Sequence, residues 1–422
     1  MSLKSKINPA IVATFFVLVV SNLGHFLNYL IQLILGKYLS TQDFGIYTAV
    51  VSLGMILGSA SQIIPLVISK FAAEIDKSRS ELEVFERSSF KWLKKWGAVY
   101  IAVLIALTPW MADFIKISDM TPLALFILNI YIYHFLALYT GTLYGLGRYQ
   151  FANSLNFFHA LLRFLLTWIA LSAFGFSYVA AVMVWGIANT VIWLVKMVYT
   201  RRLISQIGDS ELKDGSNDVS QRLSDIMRFA IPTSLTLVGI SILTNIDKVV
   251  VKHRFDDFVA GQYASAAVLA QIAFFLPQAI GPILLPELVR NKGNQKKLVA
   301  ASLGLSGLIS GMFAFATWLW PVNVTILFWG DSKVSSASYL PWLTVSMALA
   351  ALINILANGF LAKNRFKFLF FVFGFAGCFA AYTVFSHALL DPNLIPKYLA
   401  WTMMGVFGSM LVMFFWKDPI KD

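Results

Sequence analysis

Three polar residues, Asn156, His159 and Arg163, follow one another at spacings of three and four within an apolar stretch from Phe151 to Ala173. This spacing places them on one face of a helix. An arginine left without a partner in the middle of a membrane helix costs roughly 2.5–3.5 kcal/mol, so Arg163 needs a partner or water. Because charged side chains within membrane helices usually face a bundle interior or a wet cavity, we expect this face to line a cavity.

Two further groups of polar residues lie inside apolar stretches. In the first stretch of the chain, His25, Asn28 and Gln32 are also spaced by three and four and share a second face. The pair Asp247 and Lys248 lies near the end of the seventh stretch. Asp247 either takes part in a site or pairs with a nearby lysine at the membrane surface. Isolated Asn and Gln residues in other stretches are expected to join helices through hydrogen bonds.

The composition predicts that these stretches are membrane helices. Hydrophobic residues make up 58% of the chain, charged residues only 13%, and the mean hydropathy is +0.73. A helix needs about 20 mainly apolar residues to cross a bilayer. Twelve stretches meet this requirement: Ile11–Leu35, Phe44–Ile68, Trp92–Met111, Pro122–Leu146, Phe151–Ala173, Tyr178–Tyr199, Ile226–Val251, Gly261–Leu285, Leu298–Trp320, Tyr339–Ala362, Phe368–Leu390 and Tyr398–Trp416. We therefore predict an all-α, polytopic membrane protein with twelve transmembrane helices. Pro65 and Pro277 are expected to bend the helices that contain them.

The chain contains a repeated pattern around its second and eighth stretches. A constant offset of 216 residues superposes Gly45 on Gly261 and Tyr47 on Tyr263, together with several aliphatic residues that follow. The longest polar stretch, residues 200–225, lies at mid-chain. We predict a six-helix lobe over residues 1–199, a cytoplasmic linker over 200–225 and a second six-helix lobe over 226–422. Six spans per half make the two repeats parallel.

The net charge of +12 has an explanation in the topology. Of the 33 lysines and arginines, 25 fall on the side of the membrane that holds the N-terminus, and six fall on the opposite side. The positive-inside rule places both termini in the cytoplasm. This distribution accounts for the charge without a nucleic-acid partner. The mixed-charge segment 70–91 is expected to continue the second helix into the cytoplasm.

The sequence lacks the common signatures of nucleotide and metal sites. It contains no G-x-x-x-x-G-K-[ST] motif, no H-E-x-x-H motif and no paired cysteines. We therefore predict no cofactor and no metal site.

Two segments resemble a known family. They read L-S-T-Q-D-F-G-I-Y-T-A-V, from Leu39, and T-N-I-D-K-V-V-V, from Thr244, followed by A-G-Q-Y-A-S-A-A-V-L, from Ala260. These segments are similar to the polysaccharide transporters of the multidrug/oligosaccharidyl-lipid/polysaccharide (MOP) exporter superfamily, which include O-antigen and exopolysaccharide flippases. The resemblance implies two lobes around a central cationic cavity. It also implies alternating access that carries an undecaprenyl-diphosphate-linked oligosaccharide from the cytoplasmic to the periplasmic leaflet.

From this resemblance and the polar faces together, we expect a transporter of the bacterial inner membrane and not an enzyme. Its partners would be the lipid-linked oligosaccharide, membrane lipids, a coupling cation (H⁺ or Na⁺) and polysaccharide polymerase machinery. The expected ion-coupling residue is Asp247, and the expected substrate-binding residues are Arg163, His159, Asn156, His25, Asn28, Gln32 and Lys248. A diphosphate calls for a cation in a low-dielectric site, where arginine offers a fixed fork of donors.

Three other classes of protein share some of these features. An ion-coupled drug antiporter of the same superfamily would share the twelve spans. A compact cation-binding site rich in acidic residues would indicate such an antiporter, but the spans here are poor in Asp and Glu. A glycan-polymerising enzyme usually needs a large outward loop, and none is predicted. A purely structural scaffold would not need aligned polar faces.

Overall fold

The computed structural model describes residues 9–75, 78–173, 177–207, 219–280, 294–386 and 391–416, together with Leu284 and Leu288. The described residues contain helices and no strands. The helices are α1 (Pro9–Tyr38), α2 (Thr41–Gly58), α3 (Ile64–Glu74), α4 (Arg79–Phe114), α5 (Thr121–Gly145), α6 (Tyr149–Ala173), α7 (Tyr178–Ser205), α8 (Val219–Arg254), α9 (Asp257–Phe275), α10 (Gln295–Leu319), α11 (Pro321–Trp329), α12 (Leu340–Ala362), α13 (Phe368–Phe385) and α14 (Leu394–Phe415).

Twelve segments of the described chain are long and apolar enough to cross a membrane, one for each predicted stretch. The all-α prediction is therefore confirmed. The second span, Thr41–Glu74, comprises α2, a short 3₁₀ segment and α3. The short helix α11 and the 3₁₀ segment Asp331–Ser338 connect the ninth and tenth spans.

The sequence predicted that the mixed-charge segment 70–91 continues the second helix, and this prediction is wrong. Helix α3 ends at Glu74, and α4 begins at Arg79. Most of the charged residues therefore form the first turns of α4, where Arg79 pairs with Glu83 at 2.9 Å. The i,i+4 spacing of this pair favours a helix that starts here.

The chain divides into two compact units. Within the described residues, one unit comprises Met1–Ile34, Ser61–Thr108 and Thr121–Met227, and in it α5 packs on α3 and α7, and α6 packs on α7. The other comprises Leu35–Ala60, Pro109–Met120 and Arg228–Asp422, and in it α9 packs on α2 and α12, and α12 packs on α10 and α14. These are called unit 1 and unit 2 below.

The helix boundaries follow the 216-residue offset seen in the sequence. Helix α1 ends at Tyr38 and α8 ends at Arg254, while α2 begins at Thr41 and α9 begins at Asp257. The two helix starts are also capped in the same way. Ser40 Oγ accepts a hydrogen bond from the Asp43 amide at 3.0 Å, and Asp256 Oδ1 accepts one from the Val259 amide at 2.8 Å. These side chains satisfy amides that have no partner within their helices.

Both α2 and α9 end in a 3₁₀ segment, Ser59–Ile63 and Leu276–Ile280. Pro65 stands at the start of α3, where its ring would clash with the carbonyl four residues earlier if the α-helix continued. Pro277 lies within the second 3₁₀ segment. The sequence predicted bends at these two prolines, and a 3₁₀ segment lies at or next to each of them. The two 3₁₀ segments start 217 residues apart, close to the offset of the repeat.

Candidate functional site

A buried cluster of polar side chains occupies unit 1, and Arg163 on α6 is one of its members. Arg163 is only 5% exposed. Its Nη1 donates to Asn28 Oδ1 on α1 at 2.7 Å, and its guanidinium lies 3.9 Å from the centre of the Trp185 ring on α7. Phe126 on α5 packs edge-to-face on Trp185 and helps to fix that ring. A guanidinium stacked on an indole and held by an amide is pre-organised for planar recognition.

A second cation of the cluster, Lys196 on α7, was not among the predicted site residues. Lys196 is fully buried, and its Nζ donates to Thr140 Oγ1 at 2.8 Å and to Asn156 Oδ1 at 2.7 Å. In the sequence, Lys196 lies three residues before the end of the sixth apolar stretch and is one of the 25 basic residues counted on the N-terminal side. Lys196 is far from Asn156 and Arg163 in the sequence. The packing of α6 on α7 brings these helices together, and the sequence alone does not show that packing.

His159 lies on α6, one turn after Asn156 and one turn before Arg163. It is half-buried and close enough to Arg163 and Lys196 for both charges to act on it. Nearby, Asn189 on α7 donates to Asn129 Oδ1 on α5 at 3.0 Å. Helices α1, α5, α6 and α7 together therefore supply amides, a hydroxyl and two cations to this part of unit 1.

The helices around this cluster carry no acidic residue. The sequence contains no Asp or Glu between Thr121 and Ser205, which covers α5, α6 and α7, and none between Pro9 and Tyr38, which covers α1. Among the described residues, no ion pair joins Lys196 to a carboxylate. Burying a cation without a carboxylate is costly, so the cluster is suited to water or to an anionic ligand.

A buried acidic residue elsewhere in unit 1 forms an ion pair. Glu86 on α4 accepts from the Tyr139 hydroxyl at 2.6 Å and pairs with Arg201 at 3.0 Å. This triad joins α4, α5 and α7, and its charges balance locally. Lys196, in contrast, has no carboxylate partner among the described residues and donates to a hydroxyl and an amide instead.

The remaining residues predicted for the first helix differ in their surroundings. Asn28 contacts Arg163, as described, and is half-buried. Gln32 is half-buried, whereas His25 is exposed. Asn156 is exposed although its amide oxygen binds Lys196, so the cluster reaches the surface of unit 1 at this residue.

Asp247 and Lys248 lie in unit 2 and form a separate polar group. Asp247 is completely buried; its Oδ2 accepts from the Tyr263 hydroxyl at 3.0 Å, and its Oδ1 lies 3.5 Å from Lys248 Nζ. Lys248 Nζ also donates to the Thr244 carbonyl at 2.7 Å. The N-x-D-K and G-x-Y segments therefore meet in space, and their contact joins α8 to α9.

No group of three His, Cys, Asp or Glu side chains in the described part of the chain could hold a metal ion. The chemistry available in the unit 1 cluster is therefore that of two buried cations, a histidine and several amides.

Comparisons with known proteins agree with this fold. The family model described as polysaccharide biosynthesis protein matches residues 11–290. Similar solved structures include the lipid II flippase MurJ in an inward closed conformation (12% identity, 95% of this chain and 86% of that chain, TM-score 0.69). They also include an inward-facing multidrug resistance MATE family transporter (14% identity, 92% and 97%, TM-score 0.64) and a MOP superfamily transporter from Pyrococcus furiosus (17% identity, 96% and 94%, TM-score 0.61). No curated protein sequence matches the chain.

The fold is thus that of the MOP superfamily transporters, a class of polytopic membrane proteins. Within that class, this chain belongs to the polysaccharide biosynthesis protein family.

Proposed function

We propose that this protein is a flippase for an undecaprenyl-diphosphate-linked oligosaccharide, such as an O-antigen or exopolysaccharide repeat unit. In this proposal the substrate moves from the cytoplasmic to the periplasmic leaflet of a bacterial inner membrane by alternating access. Both termini lie in the cytoplasm, and the protein acts as a transporter and not as an enzyme. Polysaccharide polymerase machinery would receive the product.

The observation that carries this proposal is the pair of buried cations, Arg163 and Lys196, among helices without a single acidic residue. A diphosphate would bring negative charge to these helices, none of which carries an acidic residue. The arginine fork can bind two oxygens of one phosphate, while the lysine attracts the other phosphate as a point charge. His159 and the surrounding amides would donate further hydrogen bonds.

The family and one structural relative support a lipid-linked glycan as the cargo. The family model is described as a polysaccharide biosynthesis protein, and MurJ is by name a lipid II flippase. A lipid-linked glycan has a polar head that needs a hydrated path and a tail that stays in the bilayer. The polar group of unit 1, which reaches the surface at Asn156, suits the head.

The alternative is an ion-coupled drug antiporter, because MATE transporters share the fold. The residue that supports this alternative is Asp247, a completely buried carboxylate. However, Asp247 is held by Tyr263 and lies beside Lys248, so its charge is already compensated. A cationic drug would therefore have to displace Lys248, which makes the anionic substrate the better match to the described residues.

The experiment is a flipping assay with the purified full chain in proteoliposomes that contain lipid-linked oligosaccharide extracted from the host. Glycosidase added outside would digest only the accessible leaflet, so a flippase should raise the digestible fraction from about half toward completion. A chain carrying both Arg163→Ala and Lys196→Met should leave that fraction near the protein-free value. If the wild-type chain does not flip the glycolipid but exchanges a cationic dye for H⁺ or Na⁺, the antiporter alternative is correct.

A further inference from the structure

Unit 2 contains a polar pocket that no residue of the proposed diphosphate site enters. The pocket has a volume of about 600 Å³ and lies at the ends of α8 and α9. It is lined by Gln42, Lys116, Lys252, Arg254, Phe255, Asp256, Asp257 and Phe258. The pocket is open to its surroundings, so a ligand bound there would keep part of its surface exposed.

The fixed charges of this pocket are largely compensated. Lys252 is 1% exposed, and its Nζ lies 2.6 Å from Asp257 Oδ1 and donates to the Lys116 carbonyl at 3.2 Å. Arg254 donates to two carbonyls at the C-terminal end of α13, those of Val384 at 3.0 Å and Ser386 at 2.6 Å. Two carboxylates face three cations, so the excess of positive charge is one, which is small for a site that selects a phosphate.

Two aromatic rings stand beside these polar groups. Phe258 is 50% exposed, and Phe255 is half-buried. Exposed donors and acceptors on the same wall come from Lys116 and from Asp256, whose Oδ1 caps α9. A half-exposed ring next to both donors and acceptors matches the two kinds of surface on a pyranose, an apolar C–H face and a rim of hydroxyls.

We propose that this pocket binds a sugar ring of the transported glycan. The proposal rests on the proposed function for the identity of the glycan, and it concerns a site within unit 2 that recognises a carbohydrate and not a diphosphate. Phe258 would stack on the ring face, while Gln42, Lys116 and Asp256 would hydrogen-bond its hydroxyls. Lys252 and Asp257 would hold the wall of the pocket in place through their ion pair.

The test uses the full chain in lipid nanodiscs and two soluble probes. The first probe is the oligosaccharide mixture released by mild acid from the lipid-linked glycans of the host. The second is inorganic pyrophosphate. Binding is followed by saturation-transfer NMR. Phe258→Ala should weaken oligosaccharide binding by about 2- to 10-fold, the effect expected for one lost aromatic contact. Phe258→Tyr should retain binding, and neither variant should alter pyrophosphate binding.

A matched control is Phe385→Ala, which removes a ring that is 76% exposed at the end of α13 and does not line the pocket. The inference is overturned if Phe258→Ala binds the oligosaccharides as well as Phe385→Ala does, or if the wild-type chain does not bind them at all. It is also overturned if Lys116→Ala abolishes pyrophosphate binding, since the pocket would then be an anion site. Oligosaccharide binding that is lost in Phe258→Ala, in a chain that flips no glycolipid, would defeat the proposed function and leave the sugar site standing.

Discussion

The backbones of Gly45 and Gly261 lie in direct contact where α2 crosses α9. A Cβ atom added to Gly45 would lie 2.7 Å from the amide nitrogen of Gly261, and one added to Gly261 would lie 1.8 Å from the carbonyl oxygen of Thr41. The two glycines are equivalent residues of the sequence repeat, 216 positions apart. The repeat therefore brings its own matching positions together, as expected when two similar elements face each other across an approximate two-fold axis.

This contact predicts that Gly261→Ala destabilises the protein. The added methyl group would overlap the Thr41 carbonyl, so α2 and α9 must separate. Overpacking of this kind typically costs about 1–3 kcal/mol. The measurement is thermal denaturation of the purified chain in detergent. The control is Gly304→Ala on α10, where no atom lies within 4 Å of the new Cβ and the higher helix propensity of alanine should leave stability equal or improved. Equal melting temperatures for the two variants would contradict the contact.

Lys333, in the 3₁₀ segment that precedes α12, should give the stability of the protein a pH dependence. Its Nζ donates to the Gly36 carbonyl and lies 4.5 Å and 5.1 Å from the ring centres of Phe44 and Trp329. Burial in this aromatic surrounding lowers the pKa of the Lys333 ammonium from its usual 10.5 to about 8. Between these two pH values the unfolded chain binds the proton that the folded chain has released.

The contribution of Lys333 to the free energy of unfolding therefore rises as the pH increases from about 8 to 10.5. Below pH 8 the folded protein carries the full cost of burying the charged ammonium. The total change is on the order of 3 kcal/mol. The comparison is between melting temperatures of the wild-type chain and of Lys333→Met at pH 7 and pH 10. From pH 7 to pH 10, the melting temperature of the wild-type chain should rise relative to that of Lys333→Met. It should not rise relative to that of Lys297→Met, a control that removes an exposed lysine. Parallel curves for all three proteins would show that Lys333 does not carry the effect.

The charge distribution predicts the topology. Both termini and the segment 200–225 should lie in the cytoplasm, because most lysines and arginines fall on that side. Phosphatase and fluorescent-protein fusions after Asp214 and Asp422 measure this directly. Both fluorescent fusions should be bright and both phosphatase fusions inactive. An active phosphatase at either position would reverse the assignment.

The sequence predicted the parts of this structure that depend on local chemistry. Continuous apolar stretches predicted twelve spans, and the spacing of Asn156, His159 and Arg163 placed them on one face of α6. The sequence could not predict Lys196, because its partners Thr140 and Asn156 belong to other helices. It also left the role of Asp247 open, since the hydroxyl that binds it comes from Tyr263 on the next helix. In both cases the partner lies on another helix, and the residue pattern within a single helix does not predict how helices pack on one another.

Replacing Lys196 separates a binding role from a structural one. Lys196→Met fills a similar volume without the charge and leaves only the neutral partners Thr140 and Asn156 behind. Because no carboxylate is stranded, the folded amount should stay near that of the wild-type chain. Glycolipid flipping should fall by roughly 10- to 100-fold, the usual effect of losing a charge-assisted hydrogen bond. The proteoliposome assay measures the flipping, and Lys297→Met, at an exposed position on α10, is the control. A Lys196→Met chain that folds poorly would instead indicate that Lys196 only holds α7 to α5 and α6.

Arg163 provides the sharpest prediction, because its charge can be removed, kept or reversed. Arg163→Ala should reduce surface glycan sharply, as the loss of a charge-assisted hydrogen bond weakens affinity by roughly 10- to 100-fold. Arg163→Lys should keep part of the function, since a point charge still attracts phosphate without the bidentate fork. Arg163→Glu should be the most severe, because it repels the diphosphate. Surface glycan in a strain that depends on this chain is the readout, with the membrane-inserted amount of each variant measured in parallel.

A further variant tests the charge balance around Arg163 without changing Arg163 itself. Asn28 Oδ1 already accepts from Arg163 Nη1 at 2.7 Å, so Asn28→Asp would place a carboxylate at hydrogen-bond distance from the guanidinium. The new ion pair should compete with a diphosphate and reduce glycan export, while the folded amount stays normal or rises. If Arg163 served only to hold α6 against α1, Asn28→Asp would preserve export, and Arg163→Ala and Arg163→Glu would both lower the folded amount. Normal glycan export by Arg163→Glu at normal expression would show that the diphosphate does not bind at this residue.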